Sequence, residues 1–216
     1  MKRLLLLLVL FFLTFTCFAQ WKSLRDSEEY GMGLPFFTEN TNYIAGLNPE
    51  TRTNIVSYSF NMAGKSLYTE RWGIGSYGNF IFPQTLNMSE NGQEISVDMT
   101  PIDFFFGFDL LMGPMFMLFR NEIFALPVTM GLYYFQLYVW DTDDPRLMMS
   151  RGSFGLGANV TAEYHVNDNV YIYARFQYNV NFFSLIKITE NFPAADREGA
   201  LIIQGFNPSL GFGFKR

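Results

Sequence analysis

From Asn159 to Asn181 the chain reads NVTAEYHVNDNVYIYARFQYNVN, with apolar and polar residues in alternation. Val160, Ala162, Tyr164 and Val166, then Val170, Ile172, Ala174, Phe176, Tyr178 and Val180 hold the even positions. Asn159, Thr161, Glu163, His165, Tyr171, Tyr173, Arg175, Gln177, Asn179 and Asn181 hold the odd ones. A period of two sends successive side chains to opposite faces of a strand, so the segment predicts two strands, each with one apolar and one polar face. Between them, Asn167-Asp168-Asn169 predicts a short hairpin turn that pairs Val166 with Val170, because Asn tolerates the left-handed backbone such turns need. That register sets Thr161 opposite Arg175 and Ala162 opposite Ala174, and places Glu163 diagonal to Arg175.

The same period recurs along the chain. Tyr30, Met32, Leu34 and Phe36 oppose Gly31, Gly33 and Pro35; Val56, Tyr58, Phe60 and Met62 oppose Ser57, Ser59 and Asn61. Trp72, Ile74, Phe80 and Phe82 oppose Gly73, Gly75, Tyr77 and Asn79, and Phe104, Phe106, Phe108, Leu110 and Met112 oppose Asp103, Phe105, Gly107, Asp109 and Gly113. Leu126, Val128, Met130, Leu132 and Tyr134 oppose Ala125, Thr129 and Gly131; Phe206, Leu210, Phe212 and Phe214 oppose Asn207, Ser209, Gly211 and Gly213. With the opening pair these make eight strands. Their connections alternate in length: long over 38–52, 83–98, 141–150 and 185–199, short over 63–65, 120–122 and 167–169. Four long and three short connections fit eight up-and-down strands with both termini at the short-turn end.

Composition agrees with interleaving. Apolar residues make up 49% of the chain and aromatics 19%, yet mean hydropathy is only +0.08. The one long apolar run is at the start, where Lys2-Arg3, Leu4 to Leu13 and Cys17-Phe18-Ala19 read as a secretory signal cleaved before Gln20. A retained anchor and a lipid-bearing Cys17 are the alternatives. On this reading residues 1–19 are the signal and 20–216 the domain, with no cysteine left, as suits an exported bacterial protein without disulfides. Loss of Lys2 and Arg3 leaves 13 basic against 20 acidic residues, an acidic balance that disfavours nucleic acid as a partner.

Two media fit alternating strands. In a soluble sandwich the apolar faces form the core and the polar faces meet water. In a transmembrane barrel the apolar faces meet lipid and the polar faces fill the lumen, with strands of roughly ten residues or more tilted across the bilayer and aromatic girdles at both edges. Glycines on the polar faces and strands of unusual length favour the barrel, since a tightly curved interior needs small side chains. Tyr134, Tyr138, Trp140, Tyr164, Tyr178, Trp72, Phe212 and Phe214 are available for the girdles.

With its leader, its strand and loop count, the segment from Phe104 to Trp140 and the closing Phe212-Gly213-Phe214, the mature chain resembles the small eight-stranded bacterial outer-membrane barrels of the OmpA-transmembrane, OmpX and OmpW kind. The resemblance implies an all-β, up-and-down antiparallel barrel in the outer membrane, with periplasmic termini. It also implies that Phe212 and Phe214 are read by the outer-membrane assembly machinery, although Lys215-Arg216 follow the last Phe and Ser209 stands where a glycine is common. Partners are then membrane lipids, that machinery and an external ligand of the long loops, for a monomeric chain.

An eight-stranded barrel is just wide enough for its own side chains to fill. Asp103, Asp109, Asn159, Glu163, Tyr171, Tyr173, Arg175 and Gln177 are therefore expected to form a hydrogen-bonded, ion-paired lumen plug, because buried charges need partners. The alternative is a narrow passive conduit for small molecules, hydrophobic ones among them. Some relatives modify lipopolysaccharide with a histidine and a serine near the outer rim, but the single histidine, His165, falls beside a short turn at the opposite end. One His without mature Cys offers no metal set, Asp143-Asp144 and the acids between Glu90 and Glu94 read as loop charge, and neither enzyme activity nor a cofactor is expected.

Overall fold

The computed structural model describes residues 23–41, 51–90, 93–96, 104–140, 149–188 and 201–216. The signal segment with Cys17, Asp103 and Asp143-Asp144 lie outside them. Ten strands follow in order: β1 (Arg25–Gly33), β2 (Phe36–Thr41), β3 (Thr51–Leu67), β4 (Trp72–Glu90), β5 (Gln93–Ser96), β6 (Phe104–Arg120), β7 (Phe124–Trp140), β8 (Met149–His165), β9 (Val170–Ile188) and β10 (Leu201–Lys215).

These ten segments make eight barrel staves. β1 and β2 are one stave interrupted at Leu34-Pro35, since both pair with β3 and with β10. Pro35 has no N–H to donate, yet the ladder is carried past it: Leu34 N–H donates to the Pro208 carbonyl and Ser57 N–H to the Pro35 carbonyl, both at 3.0 Å. Pairing of this stave with β10 closes the sheet, so no long edge is left exposed. β5 is a short added strand that pairs with the end of β4, inside a stretch expected to be loop.

The predicted parity holds. Tyr58, Phe60, Phe80, Phe116, Met130, Leu156, Ile172, Phe176, Phe206 and Leu210 are exposed, whereas Ser59, Asn61, Asn79, Thr129, Asn159, Tyr173, Arg175, Gln177 and Asn207 are buried. Water would penalise so continuous an apolar exterior, and lipid does not. Toward the short-turn end the outer surface carries paired rings, with Tyr68 5.5 Å from Trp72, Phe124 5.2 Å from Tyr164 and Phe212 5.5 Å from Phe214.

The hairpin after β8 has the expected register: Thr161 faces Arg175, Ala162 faces Ala174, and Val166 N–H donates to the Val170 carbonyl at 3.0 Å. All three short turns share one device. A side-chain oxygen of Thr69, Asn121 or Asn167 accepts from the backbone N–H groups two and three residues on, which closes the turn locally. Boundaries differ from expectation at the long connections, where β2 runs to Thr41, β4 to Glu90 and β9 to Ile188 into stretches expected to be loop, and at one short turn. The turn placed at 63–65 comes after Leu67, because β3 keeps alternating through Ala63, Lys65 and Leu67, and Gly64 sits on the outer face, where an added Cβ would meet nothing within 4 Å.

Lumen glycines make room for rings. A Cβ on Gly213 would run into the ring of Tyr171, so Gly213→Ala is expected to cost about 1 to 3 kcal/mol through overpacking, while Gly64→Ala costs nothing measurable, both read by urea unfolding in micelles. On the outer face, Phe176→Arg is expected to cost about 2 to 4 kcal/mol in the same assay performed in lipid bilayers, since a charge there meets hydrocarbon.

Candidate functional site

Inside the barrel the inward faces of β1, β3, β8 and β9 bring four charged side chains into one cluster. Glu29 comes from β1, Lys65 from β3, Glu163 from β8 and Arg175 from β9, each nine-tenths or more buried. Lys65 bridges Glu29 and Glu163, and the Arg175 guanidinium pairs with Glu29. In a narrow lumen each charge loses its water, and the two acids and two bases compensate one another across the interior.

Aromatic rings seat the cations. The guanidinium carbon of Arg175 lies 4.6 Å from the ring centre of Tyr77 and 4.5 Å from that of Tyr173, and Lys65 Nζ lies 5.0 Å from that of Tyr171. The quadrupole of each ring faces a cation that water cannot reach, which raises the worth of the contact. Tyr171 OH donates to Glu29 Oε1 at 3.0 Å, Arg175 Nε donates to Thr161 Oγ1 at 3.4 Å, and Thr161 Oγ1 donates to Asn159 Oδ1 at 2.9 Å. His165 closes the lower edge, its Nδ1 3.2 Å from the Glu122 carbonyl and its Nε2 3.5 Å from Glu163 Oε2.

A second polar group surrounds Asp109. Asn79 Nδ2 and Tyr133 OH donate to its two oxygens, the latter at 2.9 Å, and Gln177 lies beside it. An apolar layer of Phe37, Ile55, Ile81, Leu111, Phe135 and Leu137 completes the interior, with the Phe37 and Phe135 rings 4.7 Å apart.

The structure places Asn159, Glu163, Tyr171, Tyr173 and Arg175 in one buried group and Asp109 and Gln177 in the neighbouring one. The expected partner of Arg175 is corrected. The guanidinium pairs with Glu29, while Glu163 is held by Lys65 and His165, because the closing stave places Glu29 nearer than the diagonal position on the hairpin does. Glu29 and Lys65 were missed in the sequence because each stands where a charged residue reads as a strand end. Continuing the parity would have found both, since Glu29 is two before Gly31 and Lys65 four after Asn61. Phe212 and Phe214 face outward on β10. No set of three candidate ligands is gathered for a metal among the described residues.

Double-mutant cycles, read by urea unfolding in micelles, test the pairing. Arg175→Met is expected to cost about 3 to 5 kcal/mol, because Glu29 loses its direct partner, and coupling of Arg175 to Glu29 should exceed its coupling to Glu163.

No protein-family model matches the chain, and no curated protein resembles it in sequence. Solved structures do resemble it in fold. The outer membrane protein OprG from Pseudomonas aeruginosa aligns with a TM-score of 0.61 at 12% identity, over 90% of this chain and 97% of that one. The outer membrane protein AlkL, studied in lipid bilayers, aligns at 0.58 and 10% identity, over 91% and 92%. Closed pairing of eight staves, an apolar exterior and a filled polar interior thus belong together: the chain has the fold of the small eight-stranded outer-membrane β-barrels.

Proposed function

We propose that the chain is a non-enzymatic, monomeric outer-membrane barrel, closed to solutes along its axis, whose long loops bind a partner outside the cell while its termini and short turns face the periplasm. The cross-lumen cluster of Glu29, Lys65, Glu163 and Arg175 supports this reading, since buried ion pairs drawn from four staves occupy the narrow lumen where an axial path would run. Under it, His165 is a structural neighbour of Glu163 and not a general base, and Phe212 and Phe214 serve insertion by the assembly machinery.

A second reading has its own observation. The inward apolar layer of Phe37, Ile55, Ile81, Leu111, Phe135 and Leu137 suits a small hydrophobic solute better than an ion, so the chain would admit such molecules. Planar-bilayer recording and proteoliposome uptake separate the two. The closed barrel gives no resolvable conductance and no uptake of a small apolar dye as wild type. Steady uptake by wild type favours the second reading, and ohmic conductance rules out the plug.

A further inference from the structure

At the short-turn end the barrel opens into a cup of about 1040 Å3, and beneath it a throat of about 20 Å3 leads toward Lys65 and Tyr171. The throat has room for about one water. Five side chains line both spaces and so form the neck between them: Arg25, Met117, Arg120, His165 and Lys215. Every polar member of the neck is a base. The acids of the cup, Glu70, Glu122 and Asp168, do not reach the throat, and the throat's own acid, Glu163, is taken by Lys65 and His165. The remaining ion pairs among the described residues, Arg175 with Glu29, Lys65 with Glu29 and Arg216 with Glu28, take none of Arg25, Arg120 and Lys215; Glu163 and Asp168 act on Arg25 and Lys215 only from beyond ion-pair distance, and Lys215 Nζ lies 5.8 Å from the Tyr171 ring centre.

We propose that this neck is a binding site for a compact oxyanion of the phosphate class, held by Arg25, Arg120 and Lys215. Two guanidinium forks and an ammonium line this one neck from the ends of β1, β6 and β10, where the short-turn end is tied by backbone bonds such as Lys215 N–H to the Asn169 carbonyl at 2.8 Å. The rim acids repel bulk anions weakly, whereas the neck offers an anion three donors at once and a partly desolvated seat, where attraction is screened less. The ligand has two sources with the same chemistry, free phosphate in solution or the phosphate of a lipid headgroup reaching in from the adjoining leaflet. The site is independent of whether the lumen conducts.

Isothermal titration of inorganic phosphate into the full-length folded chain, in phosphate-free maltoside micelles, tests the proposal. Wild type is expected to give a saturable isotherm that weakens as salt rises, and the triple variant R25Q/R120Q/K215Q to bind at least about tenfold more weakly. Arg71→Gln, which lines only the cup, should shift affinity by less than about twofold. Lys215→Gln alone keeps the backbone bonds at the end of β10 and should weaken binding even where the triple variant fails to fold. In bicelles containing phosphatidate, an undiminished phosphate isotherm identifies the free anion as ligand and a lost one identifies the lipid headgroup, and both sustain the site. No saturable binding by wild type in micelles, or Lys215→Gln binding as tightly as wild type, overturns it.

Discussion

A charge cannot sit unpartnered in the dry interior of an eight-stranded barrel, and the arrangement of this molecule follows from that constraint. Glu29 and Lys65 lie on staves next to each other, Glu163 and Arg175 on another adjacent pair, and the ion pairs between the two sets cross the lumen. Removing water from four ionised groups costs more than any one pair returns, so the cluster is weak evidence for net stability. What it does specify is closure. Only when β10 pairs with β1 does Arg175 come within reach of Glu29, so a sheet that failed to close would leave both charges without partners.

Packing is subordinate to that requirement. Tyr77, Tyr171 and Tyr173 fill the space around the cations, and glycines at Gly75, Gly211 and Gly213 stand where any larger side chain would strike those rings. Aromatics and glycines on the same face therefore belong to one solution: the rings supply volume and a negative face, and the glycines let the wall curve close around them. The outer face has a simpler task. Its Phe, Leu, Ile and Met side chains need only match hydrocarbon, which explains why they follow no more particular order than alternation.

Much of this was legible in the chain. The run from Asn159 to Asn181 gave both faces and the hairpin register down to the pairing of Thr161 with Arg175, because an uninterrupted alternation around a three-residue turn admits one register. Asp109, Asn159 and Gln177 fell on the lumen face by parity alone. Partner choice did not, since it depends on which staves meet across a closed cylinder, a long-range fact that local alternation does not encode. Lys65 and Glu29 show the other limit: a lysine beside a glycine and a glutamate at the head of a strand read as turn and loop, and only the buried lumen turns them into interior residues. The interruption at Leu34-Pro35 was equally silent, because the alternation runs through it unbroken.

Closure of the lumen network comes down to the direct contact between Arg175 and Glu29. Solid-state NMR of the labelled chain in lipid bilayers can read it as a nitrogen-to-carbon correlation between the Arg175 guanidinium and the Glu29 carboxyl carbon, assigned by its disappearance in Glu29→Gln. That correlation is expected, together with a Lys65 ammonium correlated to both Glu29 and Glu163. An Arg175 guanidinium correlated to Glu163 and not to Glu29 would contradict it.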